Sequence, residues 1–125
     1  MRIDATFRVH SVPQVTAALE GLVRVAMCQL REAREAGRPF PRLYESGVRY
    51  APEDGAEEWL GPTDVYARGY GDCEDLVAWR VAELRLSGRT RAQGWCYSPR
   101  AGLIHCVVRE GGRIVEDPSA RLGMR

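Results

Sequence analysis

The sequence predicts a single α+β domain in which helices pack on a small antiparallel sheet. Three observations predict it: a long amphipathic helix near the amino terminus, a second apolar helix in the middle, and three strand-like segments at the carboxyl end. The chain has 125 residues, of which 45% are hydrophobic and 28% charged, which is typical of one globular domain spanning residues 1–125. The short connections between the last three strands are typical of hairpins and therefore of an antiparallel sheet.

Composition and charge exclude several classes of function. The formal net charge is +1, which gives no electrostatic case for a nucleic-acid partner. No apolar run approaches the roughly 18 residues of a membrane span, and the first ten residues lack the apolar core of a signal peptide, so we expect no membrane partner and a cytoplasmic location. All 18 basic residues are arginine. A catalytic lysine is therefore excluded, and histidine chemistry has two candidates, His10 and His105.

The amino-terminal half begins with a strand and a helix. Apolar and polar residues alternate over residues 3–9, which predicts a half-buried strand. Ser11 is a good N-cap, and the helix that follows is expected to end near Glu35, with Gly37 as its stop. Cys28 lies beside the apolar stripe of this helix and is expected to be buried as a small hydrophobic residue. The stripe consists of Val15, Leu19, Leu22, Ala26 and Leu30.

The rest of the chain reads as a loop, two helices and a sheet. Residues 37–62 are rich in proline and glycine and are expected to form a loop, with a short strand at 48–50. A short helix at 63–68 is closed by Gly69, and the strongest helix runs over 72–86 with Gly88 after it. Three strands are expected at 92–98, 103–109 and 113–117.

The start of the strongest helix carries a candidate nucleophile. With Asp72 as N-cap, Cys73 is the first helical residue, where the helix dipole stabilises a thiolate and the free backbone N–H groups can hold an oxyanion. Glu74 and Asp75 oppose thiolate formation, so a cationic partner is needed. Taken alone, a cysteine at this position is more often a packing residue than a nucleophile.

The hairpin geometry suggests that partner. If residues 110–112 form a three-residue loop, Arg109 pairs with Arg113 and His105 faces Asp117 on the same side of the sheet. Asp117 then orients the His105 ring, and His105 takes the thiol proton of Cys73 if the helix packs on that side. A two-residue turn would move Asp117 to the opposite side.

These residues resemble the transglutaminase-like superfamily of papain-like cysteine hydrolases. Its pattern has G-x-C opening a helix (Gly71 and Cys73), a histidine on a following strand (His105), and Asp-Pro closing the next strand (Asp117). The resemblance covers residues 43–122. The stretches YESGVRY, EEWL, GYGDCEDL and EDPSARLGM are most similar to small single-domain versions from phage and prophage genomes.

The resemblance implies a papain-like fold and an amide or peptide hydrolase, or an acyl transferase, that works through a thioester. Cys73 would be the nucleophile, His105 the base and then the acid, and Asp117 the residue that orients it. A papain-like glutamine upstream of the nucleophile is missing, because no glutamine lies between residues 29 and 93. Trp59 is the first candidate for an oxyanion donor, although it could equally be a packing residue. Further oxyanion or substrate-binding candidates are Tyr50, Tyr70 and Asp72.

The implied partners are a peptide or protein substrate and, for a phage protein, phage structural proteins, with a virion-associated location. The alternative is a non-catalytic phage assembly or protein-binding module that keeps the fold.

No metal or cofactor is expected, because the four cysteines form no C-x-x-C pair. Cys96 and Cys106 are expected to face each other across a hairpin and to point away from His105, as a reduced pair rather than a disulfide. A metal site that joins them to His105 is disfavoured, because neighbouring strand residues point to opposite sides.

Overall fold

The structure is a computed structural model that describes residues 2–4, by their backbone alone, 11–52 and 58–124. It confirms a mixed α+β architecture. The helices in these residues are α1 (Val12–Glu35), α2 (Pro62–Arg68), α3 (Cys73–Leu86) and α4 (Pro118–Arg121), with a 3-10 turn at Leu43–Glu45. The strands are β1 (Arg2–Asp4), β2 (Arg49–Tyr50), β3 (Glu58–Leu60), β4 (Tyr70–Gly71), β5 (Gln93–Tyr97), β6 (His105–Glu110) and β7 (Arg113–Glu116). None of these helices is long and apolar enough to cross a bilayer.

Helix α1 forms where the sequence predicts it. The Ser11 side chain accepts a hydrogen bond from the Gln14 N–H at 3.4 Å, and the chain leaves the helix through Gly37 at φ +73°. The apolar stripe is buried except for Leu30, which is half-buried. Cys28 is exposed, so the prediction that it is buried is wrong. Gln29 is buried in its place and accepts a hydrogen bond from the Thr63 N–H at 2.9 Å.

The main core lies between the two long helices and the sheet. Strands β5, β6 and β7 form an antiparallel sheet in that order, and α1 and α3 pack on each other and on it. The core side chains of α3 are Cys73, Val77, Ala78, Val81 and Leu84. They meet Cys96 from β5 and Cys106 and Val108 from β6. Helix α3 therefore packs on the side of the sheet that carries Cys106.

The loop predicted for residues 37–62 contains short strands that tie it to the rest of the fold. β2 pairs in parallel with β4, which places Tyr50 opposite Gly71, and β3 pairs antiparallel with β1. The strand predicted at 3–9 is confirmed within Arg2–Asp4, and residues 5–10 lie outside the described residues. A second apolar cluster lies under this region and contains Leu43, Val48, Leu60, Val65, Leu76 and Trp79.

The β6–β7 hairpin differs from the predicted register. Glu110 pairs with Arg113, so Gly111 and Gly112 form a two-residue turn, and both have positive φ, at +59° and +78°, as a type I′ turn requires. Arg109 then pairs with Ile114 but Val108 with Glu116, so Val115 is an extra, bulged residue. The predicted Arg109–Arg113 and His105–Asp117 pairings are wrong. The bulge nevertheless turns Asp117 back to the side of His105, because it shifts the alternation of β7 by one residue.

Gly94 of β5 lies directly against Leu19 of α1. A Cβ atom at position 94 would lie 2.5 Å from Leu19 Cδ2 and 2.9 Å from Leu19 Cγ, and Leu19 is fully buried. We expect Gly94→Ala to lower the free energy of unfolding by about 1–3 kcal/mol, because the core must move to admit the methyl group. Urea denaturation measures this change.

Gly21→Ala is the matched control on the same helix. A Cβ there meets nothing within 4 Å, so this substitution is expected to raise the free energy of unfolding by about 0.5–1 kcal/mol. If Gly94→Ala were as stabilising as Gly21→Ala, the close approach of α1 to β5 would be refuted.

Candidate active site

The start of α3 is fixed by a capping box. Asp72 is the N-cap, and its Oδ1 accepts a hydrogen bond from the Cys73 N–H at 2.7 Å. In return, Asp75 Oδ2 accepts one from the Asp72 N–H at 3.2 Å. The predicted helix start is confirmed. However, one of the backbone N–H groups at the helix start, which were expected to be free to hold an oxyanion, is engaged: the Cys73 N–H donates to Asp72.

Asp75 does more than cap the helix. It is 1% exposed, and its Oδ1 accepts a hydrogen bond from the Leu60 N–H at 2.9 Å. Its Oδ2 also forms an ion pair with Arg68 Nη2 at 3.2 Å. This one carboxylate therefore joins α3 to β3 and to the end of α2, and it holds the backbone around Cys73 in place.

Cys73 is set up as a buried, activated thiol. The residue is 7% exposed, and its pKa is lowered to about 6 although burial alone would raise it. The causes of the lowering are a hydrogen bond from the Cys106 thiol, then one with His105, then one with Glu74. Because the thiolate is the reactive form of cysteine, this environment favours nucleophilic attack at neutral pH.

His105 and Asp117 form the pair that the sequence predicts. His105 Nε2 lies 2.8 Å from Asp117 Oδ2, which leaves Nδ1 as the ring nitrogen available to Cys73. The pKa of His105 is raised to about 9 by its hydrogen bond with Cys73 and then by Asp117. Asp117 is itself held in place, because its Oδ1 caps α4 and accepts a hydrogen bond from the Ala120 N–H at 3.2 Å. The three predicted residues are therefore brought together.

The way in which α3 meets the sheet departs from the expectation. The prediction required α3 to pack on the side of the sheet that carries His105, but α3 packs on the side of Cys106 and Val108. His105 acts on Cys73 from the first position of β6. Cys96 and Cys106 do face each other, as predicted, with their sulfurs 2.8 Å apart and both thiols free.

Cys106 is a site residue that sequence reasoning missed. Its thiol hydrogen-bonds to Cys73 and to Cys96, and these contacts raise its pKa, so it stays protonated as a donor. The signal was available in the sequence: Cys106 directly follows His105, and a helix packed on the other side of the strand meets the next residue.

A polar network fixes the segment that carries Asp117. Glu116 accepts hydrogen bonds from Arg80 Nε at 2.7 Å and Nη2 at 3.1 Å, and from the Tyr44 hydroxyl at 2.6 Å. Arg80 lies on α3 and also pairs with Glu83 at 3.2 Å. The helix that begins at Cys73 is thus tied directly to the end of β7, next to Asp117, which contacts His105.

The four predicted oxyanion or substrate-binding residues have different surroundings. Trp59 is buried in the same core cluster as Cys73. Tyr50 is half-buried, and its pKa is raised by burial and then by the acidic groups of Asp72, Cys73 and Glu74, so its hydroxyl lies near Cys73. Tyr70 is exposed, with the Arg68 guanidinium stacked 4.3 Å from its ring centre. Asp72 is engaged as the N-cap.

Glu74 is the second residue whose part in the site differs from the expectation: the sequence suggests that it opposes the thiolate, but its hydrogen bond with Cys73 lowers the pKa of that thiol. Its side chain is buried beside the nucleophile: the residue is 4% exposed, and Cys73 Sγ lies 3.3 Å from its Oε2. Burial, followed by the charges of Cys73, Asp72 and Asp75, raises the pKa of Glu74 well above its ordinary value. The sequence signal was its position directly after the cysteine, but its burial depends on the tertiary fold.

In the described part of the chain, one group of side chains offers enough atoms for a metal ion. Asp72, Cys73 and Glu74 place one ligand atom each within 4.8 Å of one another. Asp72 is already occupied by capping α3, so the group is better explained as the start of the nucleophile helix. This group is different from Cys96, His105 and Cys106, for which strand alternation disfavours a metal site.

Comparison with known protein families, with curated proteins and with solved structures finds no match to this chain. Its function is therefore inferred from its residues and their geometry.

Proposed function

We propose that this chain is a cysteine-dependent amide or peptide hydrolase, or an acyl transferase, with a transglutaminase-like, papain-like fold. The observation that carries the proposal is the arrangement of Cys73, His105 and Asp117 around one thiol of lowered pKa. The 2.8 Å contact between His105 Nε2 and Asp117 fixes the ring, so that Nδ1 serves the thiol. Nucleophile, base and orienting carboxylate are the three parts that acyl transfer to a thiol requires.

The proposed reaction has two halves. The Cys73 thiolate attacks the carbonyl carbon of an amide, and the carbonyl oxygen takes up the negative charge. Protonated His105 then gives its proton to the leaving amine as the carbon–nitrogen bond breaks, which leaves a thioester on Cys73. In the second half, neutral His105 removes a proton from water or from an amine, which attacks the thioester and releases Cys73.

The proposed substrate is a peptide or protein, with phage structural proteins as a candidate source and a cytoplasmic or virion-associated location. The domain is small and its nucleophile is nearly buried, which favours a substrate whose extended chain reaches the thiol over a bulky free molecule. The enzyme is a hydrolase if water attacks the thioester and a transferase if an amine does.

The activated ester p-nitrophenyl acetate tests the proposal. We expect it to acetylate Cys73 selectively, with a burst of nitrophenolate, and the labelled peptide to carry one acetyl group by mass spectrometry. Cys73→Ala is expected to abolish the burst and His105→Ala to slow it by about 10²-fold or more. An added primary amine that accelerates the release of the acetyl group as an amide identifies a transferase.

Cys28→Ser is the control, because Cys28 is exposed and lies outside the site; its burst should equal that of the wild type. Acetylation of Cys28 as fast as that of Cys73, with no dependence on His105, would contradict the proposal and favour a non-catalytic binding module.

A further inference from the structure

We propose that Glu74, as a neutral carboxylic acid, is the side-chain hydrogen-bond donor to the oxyanion that forms when Cys73 attacks a carbonyl group. This inference rests on the proposed function and adds to it a second catalytic group beside the nucleophile.

The position of Glu74 is the first support. Its Oε2 is 3.3 Å from Cys73 Sγ, and its Oε1 is buried with no hydrogen-bond partner among the described residues. A buried polar atom without a partner is costly, and in native proteins such atoms are often found at functional sites. A buried carboxyl group that touches Cys73, and whose hydrogen-bonding capacity is not filled by the described residues, is placed to bind an atom of the substrate.

The charges around Glu74 are the second support. The groups that influence its carboxyl group most strongly are acidic: Cys73, Asp72 and Asp75. Arg68, which lies nearby, is paired with Asp75. Burial among negative groups disfavours ionisation, so the Glu74 carboxyl group keeps its proton. It therefore has an O–H to donate, which a carboxylate lacks.

Two common oxyanion donors are engaged or missing near Cys73. The Cys73 N–H, which commonly serves this purpose at a helix start, donates to Asp72 Oδ1 at 2.7 Å. The chain has no asparagine and no glutamine between residues 29 and 93, so a side-chain amide close in sequence to the nucleophile is missing. A protonated acid in an apolar site is an established way to stabilise an oxyanion.

The donor needs to move little during the reaction. In the resting thiolate form, the Glu74 O–H donates to Cys73 Sγ. When the sulfur bonds to the carbonyl carbon, the negative charge moves to the oxygen on that carbon, two bonds from the sulfur, and the same O–H donates to it. No proton leaves Glu74 in this step, and the leaving amine still receives its proton from His105.

Two variants and two reagents test this inference. Glu74→Met removes the donor and keeps a similar volume, whereas Glu74→Gln is neutral and keeps an N–H donor. p-Nitrophenyl acetate reacts through an oxyanion, and iodoacetamide alkylates the thiolate by displacement without one. Both rates are taken on the plateau of each variant's pH profile, which removes any change in the fraction of thiolate.

We expect Glu74→Met to lower the acetylation rate of Cys73 by about 10²-fold and to change its alkylation rate by less than about threefold. Glu74→Gln is expected to acetylate within about threefold to tenfold of the wild-type rate. Because one oxygen of the buried Glu74 carboxyl group has no partner among the described residues, its replacement by an apolar side chain of similar volume is expected to leave the stability of the fold unchanged or improved, which the melting temperature checks. Glu74→Leu provides a second apolar variant if the methionine variant folds poorly.

Four results would overturn the inference. Glu74→Gln could lose as much activity as Glu74→Met, which would show that the reaction needs a carboxylate and not a neutral donor at this position. Cys73 in Glu74→Met and Glu74→Leu could be acetylated as fast as in the wild type. Alternatively, these variants could lose acetylation and alkylation equally, which would indicate a structural effect. If wild-type Cys73 is not acetylated at all, the proposed function fails and this inference fails with it. If the wild type is acetylated and the variants match it, only the role of Glu74 is refuted.

Discussion

Replacing His105 with alanine is expected to raise the pH midpoint of Cys73 alkylation by iodoacetamide from about 6 to roughly the 8.5 of a free thiol or above. The imidazolium is a full positive charge, whereas the Cys106 thiol is a weak, neutral donor. Loss of the imidazolium leaves the sulfur buried beside the charge of Asp72, and both burial and this charge disfavour the thiolate. At pH 7 the alkylation rate should therefore fall by about 30-fold.

The sign of the pH dependence follows from the two pKa shifts. Cys73 loses its proton as the pH rises through about 6, and His105 keeps its proton until about 9. The thiolate–imidazolium pair therefore exists between these values. Below this range the pair is lost because Cys73 is a neutral thiol, and above it the pair is lost because His105 is neutral.

Peptide mass spectrometry on the native protein measures alkylation at each cysteine separately. Exposed Cys28 is the internal reference, and His10→Ala is the matched control, since the chain has two histidines. His10→Ala should leave the Cys73 profile unchanged. A Cys73 midpoint that is the same with and without His105 would contradict the proposed pair.

Replacing Asp75 with alanine is expected to lower the free energy of unfolding by about 3–5 kcal/mol, because it breaks a buried ion pair and leaves Arg68 without this partner. Two backbone N–H groups, of Leu60 and Asp72, lose an acceptor as well. This is a large part of the stability of a small domain. Urea denaturation followed by circular dichroism measures the loss.

Asp75→Asn separates charge from hydrogen bonding. It keeps one oxygen for the Leu60 N–H and loses the charge that pairs with Arg68, so an intermediate loss of stability is expected. Glu32→Ala, at an exposed position on α1, is the control and should change the free energy of unfolding by less than about 0.5 kcal/mol. Equal effects of Asp75→Ala and Glu32→Ala would show that the capping carboxylate adds nothing to stability.

The elements that the sequence predicts well are those encoded by neighbouring residues. The caps at Ser11 and Asp72 and the stops at Gly37 and Gly69 act within one helical turn, so their signals are local. The candidate triad could be named for the same reason, because each member lies at the end of an element. That Cys73 begins a helix is visible in the sequence whatever the rest of the chain does.

The predictions that failed depend on contacts between distant segments. Cys28 lies next to the buried stripe, but the width of the buried face of α1 is set by what packs on it, and there Gln29 is buried instead. The roles of Cys106 and Glu74 depend on which side of the sheet α3 covers. The predicted pairing of β7 with β6 was wrong because the hairpin has a two-residue turn and a bulge, whose effects on the side that Asp117 faces offset each other. A residue pattern does not reveal a bulge.

The bulge at Val115 has an evolutionary consequence. The length of the Gly111–Gly112 turn and the extra residue in β7 together decide which side of the sheet Asp117 lies on. A single insertion or deletion in either place would reverse the alternation and carry the carboxylate away from His105. Surface hairpins usually tolerate insertions and deletions, but this one is constrained. We expect related proteins that keep the contact between His105 and Asp117 to change the length of the turn only together with a compensating change in the bulge.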